Sequence, residues 1–419
     1  MKRPKTAILH YTAPPIIGGV EAVIQAHVQA FIEAEYPVTI VAGRGERRAL
    51  SSNADFVCIP EMDSQSRPVR QANAALEQGQ IPSNFDDLVD QLTEALAPLM
   101  ARFDNVIVHN VFTKRFNLPL TVTLHHFLET GAIRHCIAWC HDFGWTSSHS
   151  RSKIHPGYPW DLLRTHHPDV TYVVVSERRR RVLASLLKCP PESIHVIYNG
   201  VAPARLMGLS TEGSALANRL GLLESDLVLL MPVRVTQAKN IEYALRVAAA
   251  LKMRNCRLKL VVTGPPDPHD EQSMDYFRSL QTLRRQLGLE REMRFIFESG
   301  PVPNQPHTIE AQVVGDMLRL SDVMFMPSHR EGFGMPVLEA GLLGVPVVCT
   351  NIPAAEEIGG ADVILFDADE NPMHVAEQIL AWAERDTTHR LRRRVRQNYT
   401  WDAIFRRDIK PLIESEKDA

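Results

Sequence analysis

Two glutamates eight residues apart, Glu331 and Glu339, lie in the stretch Ser328–Thr350, S-H-R-E-G-F-G-M-P-V-L-E-A-G-L-L-G-V-P-V-V-C-T. Val323–Pro327 before it is a short apolar run that reads as a buried strand, Pro336–Leu343 reads as a helix, and Val345–Cys349 reads as the next strand. Glu331 therefore falls in the loop at a strand's carboxyl end and Glu339 about one turn into the helix, where open α/β sheets bind ligands. Each carboxylate can accept two hydroxyl hydrogen bonds, which suits a sugar or a ribose. Gly332 and Gly334 let the backbone approach a ligand closely, and the helix start offers unpaired N–H groups to an anion. The alternative is a glycine-rich turn with solvated carboxylates.

A second group follows the run Leu227–Val233: Arg234-Val235-Thr236-Gln237-Ala238-Lys239-Asn240. Arg supplies a planar fork of donors and Lys a mobile point charge, a sound pair for a pyrophosphate. Two solvated cations would be the plainer reading. A third group is His135–His141, H-C-I-A-W-C-H, followed by Asp142. His135, Cys136, Cys140 and His141 invite zinc, but ligands on alternating sides of one strand cannot all face one ion, and no second cysteine pair lies nearby. A strand ending in His141-Asp142 is the better reading. Asp367-Ala368-Asp369 has the D-x-D form of metal-dependent sites, yet it follows the strand Val363–Phe366 and reads as a loop with helix-capping acids. The turn Pro265–Glu271 reads as a rigid proline loop and not a metal site.

These groups need strands and helices to position them, and the chain alternates the two. Ala7–Tyr11 is a strand, Thr12–Gly19 a glycine-ended turn, Val20–Glu33 a helix and Val38–Ala42 a strand, a βαβ opening without the G-x-G-x-x-G fingerprint. Asp86–Phe103 reads as an amphipathic helix, Val106–His109 and Thr171–Val175 as strands, and Ser176 as the N-cap of the next helix. Phe143–Pro168 reads as a long surface loop, the kind that is often functional. Arg178–Arg181 is read as a solvated helix face in preference to an anionic or membrane surface. A linker is expected over Ala202–Ser214, with helix from Ala215 to Gly221. Ile241–Leu251 then reads as a helix and Leu258–Thr263 as a strand ending at Gly264.

The 419 residues suffice for two domains. With 45% hydrophobic and 23% charged residues and a net charge of −3, the chain reads as a soluble globular protein with no strong pull toward nucleic acid. No run approaches the roughly 18 apolar residues that span a bilayer. Met1-Lys2-Arg3 leads straight into a strand-like run, so no secretory leader is expected. The six scattered cysteines read as reduced thiols of a cytosolic protein.

E-G-F-G-M-P-V-L-E-A resembles the E-x7-E signature of the retaining glycosyltransferases with two Rossmann-like domains, GT-B family 4. Further positions extend the resemblance: Gly18-Gly19-Val20-Glu21 is similar to the family's mobile N-terminal loop, His141 to its strand-end histidine, R-x4-K-N to its donor-phosphate clamp, and Ile194–Val201 to its domain junction. Tyr399–Glu414 is similar to the C-terminal helix that crosses back over the first domain. One departure is Val233, where the family usually has glycine.

The resemblance implies an α/β fold of two doubly wound Rossmann-like domains facing a cleft. The acceptor-side domain would span 1–203, the nucleotide-sugar domain 204–398, and the helix packing back on the first domain 399–419. It implies a cytoplasmic enzyme, with peripheral membrane association open, that moves a sugar from a UDP-, GDP- or ADP-sugar to an acceptor hydroxyl with retention. The acceptor would be a small molecule, a glycan or a lipid-linked chain, and the loop 143–168 is expected to help bind it. Gly18, Gly19, Arg234, Lys239, Gly332, Phe333, Gly334, Met335 and Glu339 would bind the donor, with Glu331 orienting the sugar and His141 beside the reacting centre. No catalytic metal or cofactor is implied. A sugar phosphorylase of similar fold, a sugar-nucleotide epimerase or a non-catalytic nucleotide-sugar-binding subunit are the competing functions; donor base, acceptor and oligomeric state are not specified by the sequence.

Overall fold

The computed structural model describes residues 3–50 and 53–415. The reading of Met1-Lys2 and the last four residues of the C-terminal segment fall outside them. The chain divides into two compact units, one running to Val201 and resuming at Trp401, the other Ala202–Thr400.

The first unit is a seven-stranded sheet. Its strands are β1 (Thr6–Thr12), β2 (Val38–Arg44), β3 (Asp55–Cys58), β4 (Asn105–His109), β5 (Cys136–Cys140), β6 (Val170–Val174) and β7 (Ile194–Val196). Their order is β3-β2-β1-β4-β5-β6-β7, all parallel. Every residue of β1, β4 and β5 is buried, as helices on both faces of a parallel sheet require. Side chains alternate: Leu9, Val108, Ala138 and Cys140 enter one core, while Ile8, Ile107, Ile137 and Trp139 enter the other.

The second unit has six strands: β8 (Leu227–Met231), β9 (Leu258–Val262), β10 (Met293–Phe295), β11 (Val323–Met326), β12 (Val347–Thr350) and β13 (Ile364–Phe366). They run parallel in the order β10-β9-β8-β11-β12-β13. In each sheet the winding reverses once, between β1 and β4 in the first and between β8 and β11 in the second. A crevice at the carboxyl ends of those strand pairs is where such sheets take ligands.

The C-terminal residues 401–415 belong to the first unit. Ile404, Phe405, Ile409 and Ile413 enter the core that holds Phe31 and Trp139. Each such side chain contributes about 1.5–3 kcal/mol on burial. Asn105 Nδ2 donates to the Ile413 carbonyl at 3.0 Å, and Trp401 N–H donates to Val201 O at 3.1 Å.

Two expectations are corrected. Phe143–Pro168 is not a surface loop: Trp145, Ile154, Trp160 and, just beyond it, Leu163 are buried with Leu76, Phe85 and Leu88. The indole of Trp145 donates to Trp160 O at 3.3 Å, and the Arg164 guanidinium lies 4.1 Å over its ring. Its aromatic residues serve a small core of their own. The linker is also shorter than expected. Helix Thr211–Leu220 starts four residues before Ala215, because Ser210 Oγ accepts from Gly213 N–H at 2.9 Å and sets the N-cap.

Candidate functional site

At the reversal of the second sheet, the segments leaving β8 and β11 meet. The Lys239 ammonium donates to both oxygens of Glu331, at 2.7 Å each. Ser328, almost fully buried, donates from Oγ to Glu331 Oε1 at 2.7 Å. The backbones are tied as well, His329 N–H donating to Ala238 O at 2.9 Å. Residues 92 apart in sequence thus form one charged, hydrogen-bonded unit. Lys239 gets there through a tight turn: Gln237–Lys239 is a 3-10 turn and Asn240 takes φ 48°, a left-handed conformation Asn tolerates.

Arg234 is placed differently. It is more than half exposed and sits 3.6 Å from Asp267. Its segment lies flat on the turn after β9. Gly264 N–H donates to Val233 O at 3.0 Å, Val235 N–H donates to Pro265 O at 3.0 Å, and Val235 bridges Pro266. A Cβ on Gly264 would stand 2.5 Å from Val233 O and 2.7 Å from Arg234 Cα. The close approach is therefore provided by Gly264, and Val233, where the resembling family has glycine, is accommodated as a buried side chain.

Downstream of Glu331, Gly334 has φ +94° and caps the helix Met335–Leu342, a conformation that L side chains rarely adopt. Glu331, Gly332 and Phe333 line a cavity of about 240 Å³ together with His329, Ala354 and Glu357. Phe333, Met335 and Glu339 are exposed, Glu339 on the helix one turn in. Asp367 and Asp369 are exposed after β13, the edge strand two places from β11.

At the reversal of the first sheet, a cavity of about 270 Å³ is lined by His10 and Thr12 from β1, Gly19 and Glu21 from the helix Gly19–Glu33, and Asn110 and Asp142 beyond β4 and β5. Thr12 Oγ1 donates to Glu21 Oε1 at 2.5 Å, and His10 Nε2 is 3.9 Å from the same oxygen. The Glu21 carboxylate folds back so far that a Cβ on Gly18 would overlap it, at 2.0 Å from Oε2. Asn110 Oδ1 accepts from the backbone N–H of both His141 (2.8 Å) and Asp142 (3.2 Å). The Arg179 guanidinium holds Asp142 at 2.9 Å.

His141 belongs to a buried histidine cluster. Its Nε2 is 3.0 Å from Nδ1 of His109, and the two rings stack with centroids 5.3 Å apart. The His10 Nδ1 donates to His109 O at 2.9 Å, and His27 lies 5.4 Å beyond His109. Burial holds all four below the usual histidine value: His141 at about 4 and His27 at about 3, His109 well below, His10 lowered too. The imidazoles are therefore neutral near pH 7. Cys136 and Cys140 point into the opposite core, and His135 bonds to Asn105 and Thr171. Among the described residues no cluster of His, Cys, Asp and Glu is built to hold a metal ion.

The predicted residues thus fall into two groups. Lys239, Glu331, Gly332 and Phe333 come together in the second unit, while in the first Gly19 lines the cavity with Asn110 and Asp142, and Asn110 also holds the backbone of His141. Sequence reasoning missed Ser328, Asp267, Gly264, His10, His109 and Asn110. The visible signal was His10 and His109, polar residues inside otherwise apolar strands.

Residues 17–205 match the family model described as Glycosyltransferase Family 4, and residues 215–400 match that of Glycosyl transferases group 1. An uncharacterized glycosyltransferase of Methanocaldococcus jannaschii is 26% identical over 245 residues, 57% of this chain and 58% of that protein. A D-inositol 3-phosphate glycosyltransferase of Saccharomonospora viridis is 28% identical over 247 residues, 57% of this chain and 53% of that protein. The chain spans little more than half the length of these relatives. Among solved structures, Anabaena HepE in complex with UDP and glucose aligns over 99% of this chain and 100% of that one, at 16% identity and a TM-score of 0.36, too loosely to carry any residue of one onto the other.

Proposed function

This chain belongs to the group 1 glycosyl transferases of glycosyltransferase family 4, and on that premise we propose that it moves a sugar from a nucleotide-sugar donor to an acceptor hydroxyl, with retention at the anomeric carbon and without a metal ion. The observation that carries the reading is the Lys239–Glu331–Ser328 unit at the reversal of the second sheet. A cation and a carboxylate assembled there from two different loops suit a ligand that is a phosphate ester at one end and a polyol at the other.

In this reading Lys239 and Arg234 neutralise the leaving diphosphate, where charge develops in the transition state. Glu331 accepts hydroxyls of the transferred sugar, with the backbone at Gly332, Phe333, Gly334 and Met335 beside it. Glu339, exposed on its helix, holds the ribose hydroxyls. The loop at Gly18-Gly19 approaches the donor phosphate, and His141 acts at the transferred sugar. Attack on the face the leaving group departs from explains retention without a carboxylate nucleophile, since Glu331 is already bound on both oxygens by Lys239 and on one by Ser328.

The test is to incubate the full chain with UDP-, GDP- and ADP-sugars and a panel of hydroxyl acceptors, and to determine the first-formed product by NMR. The reading expects one donor base to be used and an α-linked donor to give an α-linked product. A β product removes the same-face mechanism. Turnover that requires inorganic phosphate as acceptor would make the chain a phosphorylase, and donor binding without turnover a binding subunit.

A further inference from the structure

The imidazole of His141 is held from behind. Its Nε2 lies 3.0 Å from Nδ1 of His109, and both residues are buried. A hydrogen bond between two neutral rings needs one N–H and one lone pair, so the two tautomers are locked together. His109 Nε2 decides which pairing holds. It is buried, and among the described residues nothing bonds to it. If it carried the proton, a buried N–H would be orphaned; if it is a lone pair, the lesser orphan is left. We propose that His109 is a positioning residue for His141: it donates from Nδ1 to Nε2 of His141, so that the proton of His141 stays on Nδ1 as a hydrogen-bond donor for the sugar substrate.

The surroundings fit that arrangement. His109 ends β4 and His141 directly follows the neighbouring β5, so the two side chains meet at the ends of adjacent strands whose register is fixed by pairing His109 with Trp139. The His109 ring stacks on Trp139 at 5.8 Å and 25°, which keeps it from turning. The backbone of His141 is pinned by Asn110 Oδ1, so ring and main chain are both held. Burial lowers the proton affinity of both rings, which keeps them uncharged and the bond asymmetric. A locked neutral donor offers a hydroxyl or phosphate oxygen one fixed N–H and does not compete as a base.

The inference rests on the reading of His141 as a residue that acts on the transferred sugar, and two measurements separate them. The first is a two-bond 1H–15N correlation spectrum of the full chain labelled with 15N-histidine, without substrate. The expected result is the Nδ1–H tautomer for both His109 and His141; an Nε2–H tautomer at His141 overturns the proposal whatever the enzyme does. The second is kinetics of His109→Asn, whose amide nitrogen replaces the Nδ1 donor, beside His109→Leu. The Asn variant is expected to keep kcat within about threefold, while the Leu variant loses about tenfold or more in kcat at unchanged donor KM. Equal losses in both also overturn it, and if the Leu variant does not fold, the Asn variant and the spectrum still decide. A chain with the expected tautomers that transfers no sugar would reject the functional reading and leave the positioning role standing.

Discussion

Lys239 and Arg234 were equivalent in the sequence and are not equivalent in the fold. Lys239 is only about one-fifth exposed and bound to Glu331, whereas Arg234 is largely solvated beside Asp267. Removing Lys239 takes away a charge-assisted bond to the donor and leaves Glu331 to repel a diphosphate. Lys239→Ala should weaken nucleoside-diphosphate binding by about 1.5–3 kcal/mol, the range for hydrogen bonds to charged groups. Arg234→Ala should cost less, about 1 kcal/mol, because a solvated charge is screened. Calorimetry on the two variants measures both, and equal effects would mean that the pairing seen here does not govern donor affinity. Glu331→Gln keeps the size but turns one acceptor oxygen into a donor that faces the Lys239 ammonium. It should lower transfer far more than it lowers the melting temperature; a proportional loss of both would make Glu331 a structural residue. The motif residues were legible because their types sit at a fixed local spacing. Their partners, Ser328 apart, were not: Asp267 and His109 find theirs across distances that only the strand order sets.

Strands and helices were readable at the scale of the element because apolar periodicity is local. Thr6–Thr12, Val38–Arg44 and Met335–Leu342 lie within two residues of where hydrophobicity and capping signals put them. The order of strands was not readable, since seven similar buried runs carry no label for their neighbours. The turn after β9 was read as a rigid proline loop, but the contact its Gly264 makes with a loop 30 residues earlier was not readable. Gly264→Ala forces Val233 and Arg234 away by more than a side-chain rotation can relieve. Overpacking of this kind costs about 1–3 kcal/mol, and it should also weaken donor binding through Arg234. A variant with lower melting temperature and unaltered donor affinity would show that the loop's position is not used. The edge position of β13 gives a further expectation. Asp367 and Asp369 project beyond it, two strands from the Lys239–Glu331 unit, and the diphosphate charge is assigned to Lys239 and Arg234. Turnover should survive EDTA, and Asp367→Ala should be nearly silent; loss on chelation with recovery in Mn²⁺ would refute the assignment.

Among the described residues, the histidines that burial pushes below their ordinary value all lie on one side of the division at Val201. His27, His125 and His141 belong to the first unit, with values pushed down to about 3, about 4 and about 4 by burial. In the unfolded chain each returns to its ordinary value of about 6.5. Between that value and its folded one, the unfolded state binds a proton that the folded state refuses, so stability rises with pH there and falls as acid is added. Each histidine should cost the first unit about 2 kcal/mol between roughly pH 7.5 and pH 5, with the loss levelling off only below the folded values. None of these groups lies in the second unit, so the two should part company in acid. Hydrogen–deuterium exchange by mass spectrometry at the two pH values, corrected for intrinsic rates, reads the units separately. Peptides covering β1, β4 and β5 should lose protection at pH 5, while those covering β8 and β11 hold theirs. His27→Phe, which removes one titrating ring from the core beside Trp139 and Trp401, should reduce the first unit's acid loss by about 2 kcal/mol, the share of one imidazole. Equal loss in both units, or a pH dependence untouched by that substitution, would mean that the buried imidazoles are not what makes the first unit acid-sensitive.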